Sequence, residues 1–331
     1  MKRHILIAAL AGALALPAMG QSLGNRPVRM VLPYTTGGPT DLSARALAEA
    51  MSPILGVPVI VENKPGASGK IAAEAVIKSD PDGHTIMYGG STQYVMLPLL
   101  DKAAGFKPFE DFRMVSIYTK YDIIFMASAQ TGMKTMKDLV ARLQKPGEDT
   151  VFASIGQPHL TPTGLAFLVF NKMYKGNARA IVYPGQAPGT LDLLAGRAHF
   201  ATYTITGMLP HLQSGKLVAL AVASPQRMPQ LPDVPTAAEA GFPEFMAANN
   251  WQPWIAFAAP GKTPDAIVNR LNAAMQQAVK GEEFRKKFET TGLVLAANTT
   301  AAQDQAAWKA EYERLEGTLK RFNITAEDGA K

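Results

Sequence analysis

The chain has no cysteine, which excludes disulfides, thiolate metal sites and a cysteine nucleophile. Without covalent staples, its stability has to rest on buried apolar surface, which 331 residues can supply. A strong excess of one charge is also missing, since 33 Lys and Arg stand against 27 Asp and Glu. The densest basic group, Arg285-Lys286-Lys287, falls on one predicted helical turn and reads as a solvated face. A nucleic-acid partner would want Lys and Arg in a stripe interleaved with aromatics, so none is expected. The net charge of +6 only makes anions somewhat more welcome. Enzyme signatures are absent too: there is no G-x-S-x-G elbow, no H-E-x-x-H and no G-x-G-x-x-G. Gly261-Lys262-Thr263 imitates the end of a phosphate loop, but Ala256 stands where that motif needs glycine. Asp80-Pro81-Asp82-Gly83 reads as a β-turn rather than a calcium loop. His84, His159, His199 and His211 show no metal-like spacing, so neither a metal nor a cofactor is expected.

Beyond the N-terminus no run is long and apolar enough to cross a bilayer, which takes roughly 20 residues. At the N-terminus, Lys2 and Arg3 precede a short apolar run from Ile5 to Leu16, and Pro17 breaks it. Ala18-Met19-Gly20 then offers small residues to a signal peptidase. Residues 1–20 are therefore expected to be an export signal cleaved near Gly20 and Gln21, with the mature protein in the periplasm. No cysteine follows to carry a lipid anchor.

What remains alternates β-rich apolar runs with helical periodicity, the pattern of α/β layers with mostly parallel sheets. Strands are predicted at 28–33, 57–62, 85–88, 123–127, 151–154, 180–183 and 217–223. Helices are predicted at 40–55, 71–78, 136–144, 164–173, 189–195, 265–279 and 282–290. A last helix carries Trp308, Tyr312, Leu315, Leu319 and Phe322 on one stripe, which reads as core packing. So long a chain favours two lobes, the second inserted in the first. The expected division is 21–122 with 252–331 for one lobe and 123–251 for the other.

Two strand-to-helix turns stand out. Tyr34-Thr35-Thr36-Gly37-Gly38-Pro39-Thr40 brings glycines that admit close approach, a proline suited to a first helical turn, and hydroxyl donors. The helix behind it directs unpaired N–H groups and the positive end of its dipole outward. Tyr183-Pro184-Gly185-Gln186-Ala187-Pro188-Gly189-Thr190 is the second, and Ser154-Ile155-Gly156-Gln157 follows another strand in the same way. Nothing in these turns is strongly nucleophilic or basic, and everything suits holding a carboxylate in a cleft.

The sequence resembles the Bug family, the substrate-binding proteins of tripartite tricarboxylate transporters. The resemblance is carried by PVRMVLPYTTGGPTDLSAR at 27–45, VENKPGASGKIAAEA at 61–75, PDGHTIMYG at 81–89 and VYPGQAPGTLDLLAG at 182–196. LPHLQSGKLVALAV at 209–222, LPDVPTAAEAGFPEF at 231–245 and FAAPGKTP at 257–264 continue it. It implies an α/β fold of two lobes, a type II-like periplasmic binding protein that closes on a carboxylate and delivers it to membrane transporter subunits. It further implies binding by Tyr34, Thr35, Thr36, Gly37, Gly38 and Thr40, by Ser91 and Thr92, and by Ser154, Gly156, Gly185, Ala187 and Pro188.

Departures from the family pattern matter for the ligand. His159 is displaced within Gln157–Pro162, and His199 and Tyr203 stand where acidic residues are common. Tyr203 joins the expected contacts, and the missing acid argues against an amino-acid ligand. Tyr94 and Trp251, with Trp254 nearby, are aromatic candidates for the floor of the cleft, with core packing as the alternative for both tryptophans. A monomeric carboxylate-binding protein without catalytic residues is the leading expectation. A sensor that signals to a membrane receptor is equally compatible with these residues. An exported α/β hydrolase is less so, because no Ser/His/Asp set sits at recognisable turns.

Overall fold

The computed structural model describes residues 23–329 except 102, 249–251, 290–292 and 297, so the expected export signal and Trp251 lie outside the described residues. The first lobe is built on strands β1 (Val28–Leu32), β2 (Val59–Asn63), β3 (Thr85–Gly90), β4 (Phe112–Lys120), β10 (Trp254–Pro260) and β11 (Val294–Leu295), in the order β11-β4-β10-β3-β1-β2. The second is built on β5 (Ile124–Ser128), β6 (Val151–Ile155), β7 (Arg179–Tyr183), β8 (Phe200–Tyr203) and β9 (Leu217–Val222), in the order β7-β6-β8-β5-β9.

The pairing corrects the expectation of mostly parallel sheets. β1, β2 and β3 pair in parallel, as do β6, β7 and β8, while β10 runs antiparallel to both β3 and β4. β5 is likewise antiparallel to β8 and β9. The reason is the path of the chain. β4 and β5 carry it out of the first sheet into the second, and β10 brings it back between β3 and β4.

Alternation along the strands sorts side chains onto two faces. Met30, Leu32, Ile86 and Tyr88 pack with helices Pro39–Leu55 and Asp265–Ala278, whereas Val31 and Met87 face Ala72, Val76 and Trp308. The core holding Val31 and Trp308 continues without a break into Phe125, Phe152 and Phe200 of the second sheet. Helix Ala301–Arg321 helps to join the lobes, its Thr318 hydroxyl donating to the Ala248 carbonyl at 3.1 Å. As the periodicity predicts, Trp308, Leu315 and Leu319 of that helix are buried. Among the described residues no helix is long and apolar enough to cross a membrane.

Candidate functional site

A cleft of about 940 Å³ opens between the two sheets, walled by the turns that leave β1, β3, β6, β7 and β8. On the first-lobe side, Gly38 caps helix Pro39–Leu55 with extended backbone, a proline follows at the start, and no side chain caps the first turn. Its N–H donors and dipole therefore face the cleft beside Tyr34, Thr35, Gly38 and Thr40. Ser91 and Thr92 border the same space.

The turn is fixed from behind by Asp41, whose side chain is 1 % exposed. Its carboxylate accepts from the Gly37 N–H at 3.0 Å, from Arg45 Nε at 2.9 Å and from Asn63 Nδ2 at 2.9 Å. Asn63 also donates to the Tyr34 carbonyl at 3.0 Å. Burial opposes the charge on Asp41, but Arg45, Gly37 and Asn63 together outweigh it and hold the carboxyl below its usual range. Burial pushes the Tyr34 phenol up to about 12, so it stays a neutral donor, and it gives its proton to Gln93 Oε1 at 3.2 Å. Gln93 in turn accepts from the Gly90 N–H at 3.0 Å and donates to the Ser68 carbonyl at 3.1 Å. Gly69 makes this possible: at φ +97°, an added Cβ would lie 2.6 Å from Gln93 Cγ.

On the second-lobe side, Gly185 caps helix Gln186–Leu194, and Gly185 and Ala187 border the cleft. Gln186 anchors this helix to the turn after β8, donating to the Thr206 carbonyl at 2.6 Å and accepting from the Thr204 hydroxyl at 3.2 Å. Thr161 caps helix Pro162–Met173 by accepting from the Gly164 N–H at 3.1 Å, which leaves its own hydroxyl proton free to turn toward the cleft.

The expected contacts thus divide into two sets. Tyr34, Thr35, Gly38, Thr40, Ser91, Thr92, Gly185 and Ala187 border the cleft together. Thr36, Gly37, Tyr94, Ser154, Gly156, Pro188 and Tyr203 are not on its wall. The Gly37 N–H is spent on Asp41, and the buried Ser154 hydroxyl donates to the Gly156 carbonyl at 2.9 Å. Tyr94 is wholly buried, stacked on Trp254 with its hydroxyl given to the Met87 carbonyl. Tyr203 is buried beneath Gly189 with no partner for its hydroxyl.

Residues outside the expectation complete the wall, chiefly Asp41, Tyr121, Gln186, Thr204, Thr206 and His211. Gln186 sits inside a turn the sequence marks, whereas Thr204 and Thr206 follow β8, a strand too short to show its periodicity. Ile155, Leu191, Leu194, Met208, Trp254 and Ile255 make much of the remainder apolar. Among the described residues no Lys or Arg borders the cleft, so an anion would meet neutral donors and helix ends rather than opposite charge. Among them, too, no group of three or more His, Asp or Glu is placed to hold a metal ion.

Two α/β lobes with helix N-termini converging on a shared cleft define a solute-binding protein of the two-lobed kind. The chain belongs to the tripartite tricarboxylate transporter family receptors, whose profile matches residues 43–322. It is 33% identical over 318 residues to a protein from the TAR-I ttuE-ttuC' intergenic region of Agrobacterium vitis, spanning 93% of this chain and 89% of that one. It is 32% identical to Protein BugT of Bordetella pertussis, over 88% of this chain and 87% of the relative. Among solved structures it is similar to the periplasmic binding protein BugD, at TM-score 0.78 and 30% identity, over 91% and 98% of the two chains. MatC of Rhodopseudomonas palustris with bound malate gives 0.77 at 28% identity, over 89% and 99%. A further R. palustris protein, with adipate, gives 0.79 at 27%, over 91% and 99%.

Proposed function

We propose that this chain is an exported, monomeric receptor that captures a small carboxylate in the cleft, leaves it chemically unchanged and passes it to membrane transporter subunits. The observation that carries the reading is the pairing across one cleft of the uncapped helix Pro39–Leu55, with Thr35, Thr40 and Ser91, and helix Gln186–Leu194. Hydrogen bonds to a charged group contribute about 1.5–3 kcal/mol each, and a helix N-terminus about 0.3–1 more. After the costs of ordering and closure, several of them reach micromolar affinity, near about −8 kcal/mol. Relatives with bound malate and adipate support a carboxylate ligand.

Among the described residues Asp41 is the one acid on the cleft wall. Its engagement with Arg45, Asn63 and Gly37 leaves little for a ligand ammonium, which favours deaminated acids over amino acids. In this reading residues 1–20 direct export, 21–122 and 252–331 form one lobe, and 123–251 the other. A thermal-shift screen of the mature protein against mono-, di- and tricarboxylates, aromatic acids and amino acids tests it. A large, concentration-dependent rise in Tm with one carboxylate class is expected. A shift with uncharged compounds alone would refute the carboxylate assignment, and chemical turnover of the bound compound would refute the non-catalytic one.

A further inference from the structure

Behind the cleft wall lies a carboxylate with only one of its two oxygens partnered. Glu311, on helix Ala301–Arg321, accepts from the indole N–H of Trp254 through Oε2. The Ser91 oxygen accepts from the Trp254 backbone N–H at 3.4 Å, which holds the serine hydroxyl beside the same carboxylate. Its other oxygen, Oε1, is sealed from solvent and has no hydrogen-bond partner. Ser91 and Trp254 are themselves almost fully buried, yet both border the cleft. An anion held by Ser91 would therefore sit one hydroxyl away from Glu311.

A serine hydroxyl has a single proton to give. While Glu311 is ionised, that proton points at Glu311, and Ser91 turns a lone pair toward the cleft. Once Glu311 is protonated, the acid donates to Ser91 and releases the serine proton toward a ligand. We propose that Glu311 is a positioning residue that couples capture of a carboxylate to the uptake of a proton, acting through Ser91. The proposal rests on the carboxylate reading of the cleft.

The surroundings suit the role. Burial raises the Glu311 carboxyl to about 7, against the opposing pull of Trp254, Arg314, Ser91 and Lys120. Arg314 lies on the same helix, Lys120 ends β4, and the buried phenol of Tyr121 follows it. A ligand carboxylate brought close adds like charge and raises the Glu311 carboxyl further. The sign follows: affinity is greatest below about pH 7 and falls by up to about tenfold per unit above it, the limit for one linked proton.

Isothermal titration with adipate and malate from about pH 5.5 to about pH 8.5, in buffers of different ionisation enthalpy, tests this. The native protein is expected to take up close to one proton per ligand above about pH 7, while Glu311→Gln binds with nearly constant affinity and takes up none. An equal pH slope in Glu311→Gln would assign the proton elsewhere, Asp41 and His211 being the other ionisable side chains on the wall besides Tyr34 and Tyr121, and would overturn the proposal. Binding by the native protein with no pH slope would overturn it while leaving the carboxylate reading intact. Failure of both acids to bind at any pH would overturn the two together. If Glu311→Gln does not fold, Ser91→Ala serves instead, and it should lose the gain in affinity at acid pH; retaining that gain would also refute the proposal.

Discussion

Tyr203 shows how a residue can end a strand beside the cleft and still lie off its wall. It ends β8, where the family resemblance expects a contact, but its ring is packed under helix Gln186–Leu194 and its hydroxyl has no partner. A Cβ added at Gly189 would come within 2.1 Å of that hydroxyl, so the absence of a side chain there is what admits the tyrosine. A buried hydroxyl that bonds to nothing costs stability, and deleting it is nearly neutral or favourable. Tyr203→Phe is therefore expected to leave ligand affinity unchanged and to hold or raise stability by up to about 1 kcal/mol, measured by titration calorimetry and denaturant unfolding. A tenfold loss of affinity would restore Tyr203 as a contact. Asp41 is the opposite case. Nothing in the string Pro39-Thr40-Asp41 says that its carboxylate turns back on Gly37, because its partners Arg45 and Asn63 are brought to it by the helix and by β2.

At the scale of elements, helices were the more legible part. Pro39 at a first turn, Thr135 and Thr300 in capping boxes, and Gly56 closing a helix at φ +76° are local signals, and the observed limits fall close to those the periodicity predicts. β4, β8 and β10 are not predicted by the pattern. β10 is buried on both faces from Trp254 to Pro260 and so has no alternation to read, β8 has four residues, and the pairing partners of β4 lie far along the chain. The turns between elements were legible as candidates, but which hydroxyls face the cleft was not. Thr35 and Thr40 border it and Thr36 does not. Thr35→Ala and Thr40→Ala should each weaken carboxylate binding by roughly tenfold or more, the worth of one hydrogen bond to a charged group. Thr36→Ala should change it little. Calorimetry on the three variants decides, and equal losses at all three would mean that the turn rearranges around its ligand.

For the whole molecule, the question is how two lobes that share a core can close. The two crossings are bound to each other, Tyr121 N–H donating to the Pro253 carbonyl at 3.0 Å and Gln252 Nε2 to Asp122 Oδ1 at 2.6 Å. The C-terminal segment adds a third tie, since Lys172 pairs with Asp328 at 2.8 Å and donates to the Asn323 carbonyl at 2.6 Å. A core that runs unbroken from Val31 to Phe200 cannot be pulled apart without exposing aromatic surface. Any closure would thus be a small rotation about the paired crossings, with helix Ala301–Arg321 as their brace. A ligand that bridges the helix ends on both sides would favour that rotated state by its differential affinity alone. Small-angle scattering should then show a modest, saturable fall in the radius of gyration at the ligand concentrations that raise Tm. Scattering that stays constant while Tm rises would mean that the cleft is preformed and that binding needs no rotation of the lobes.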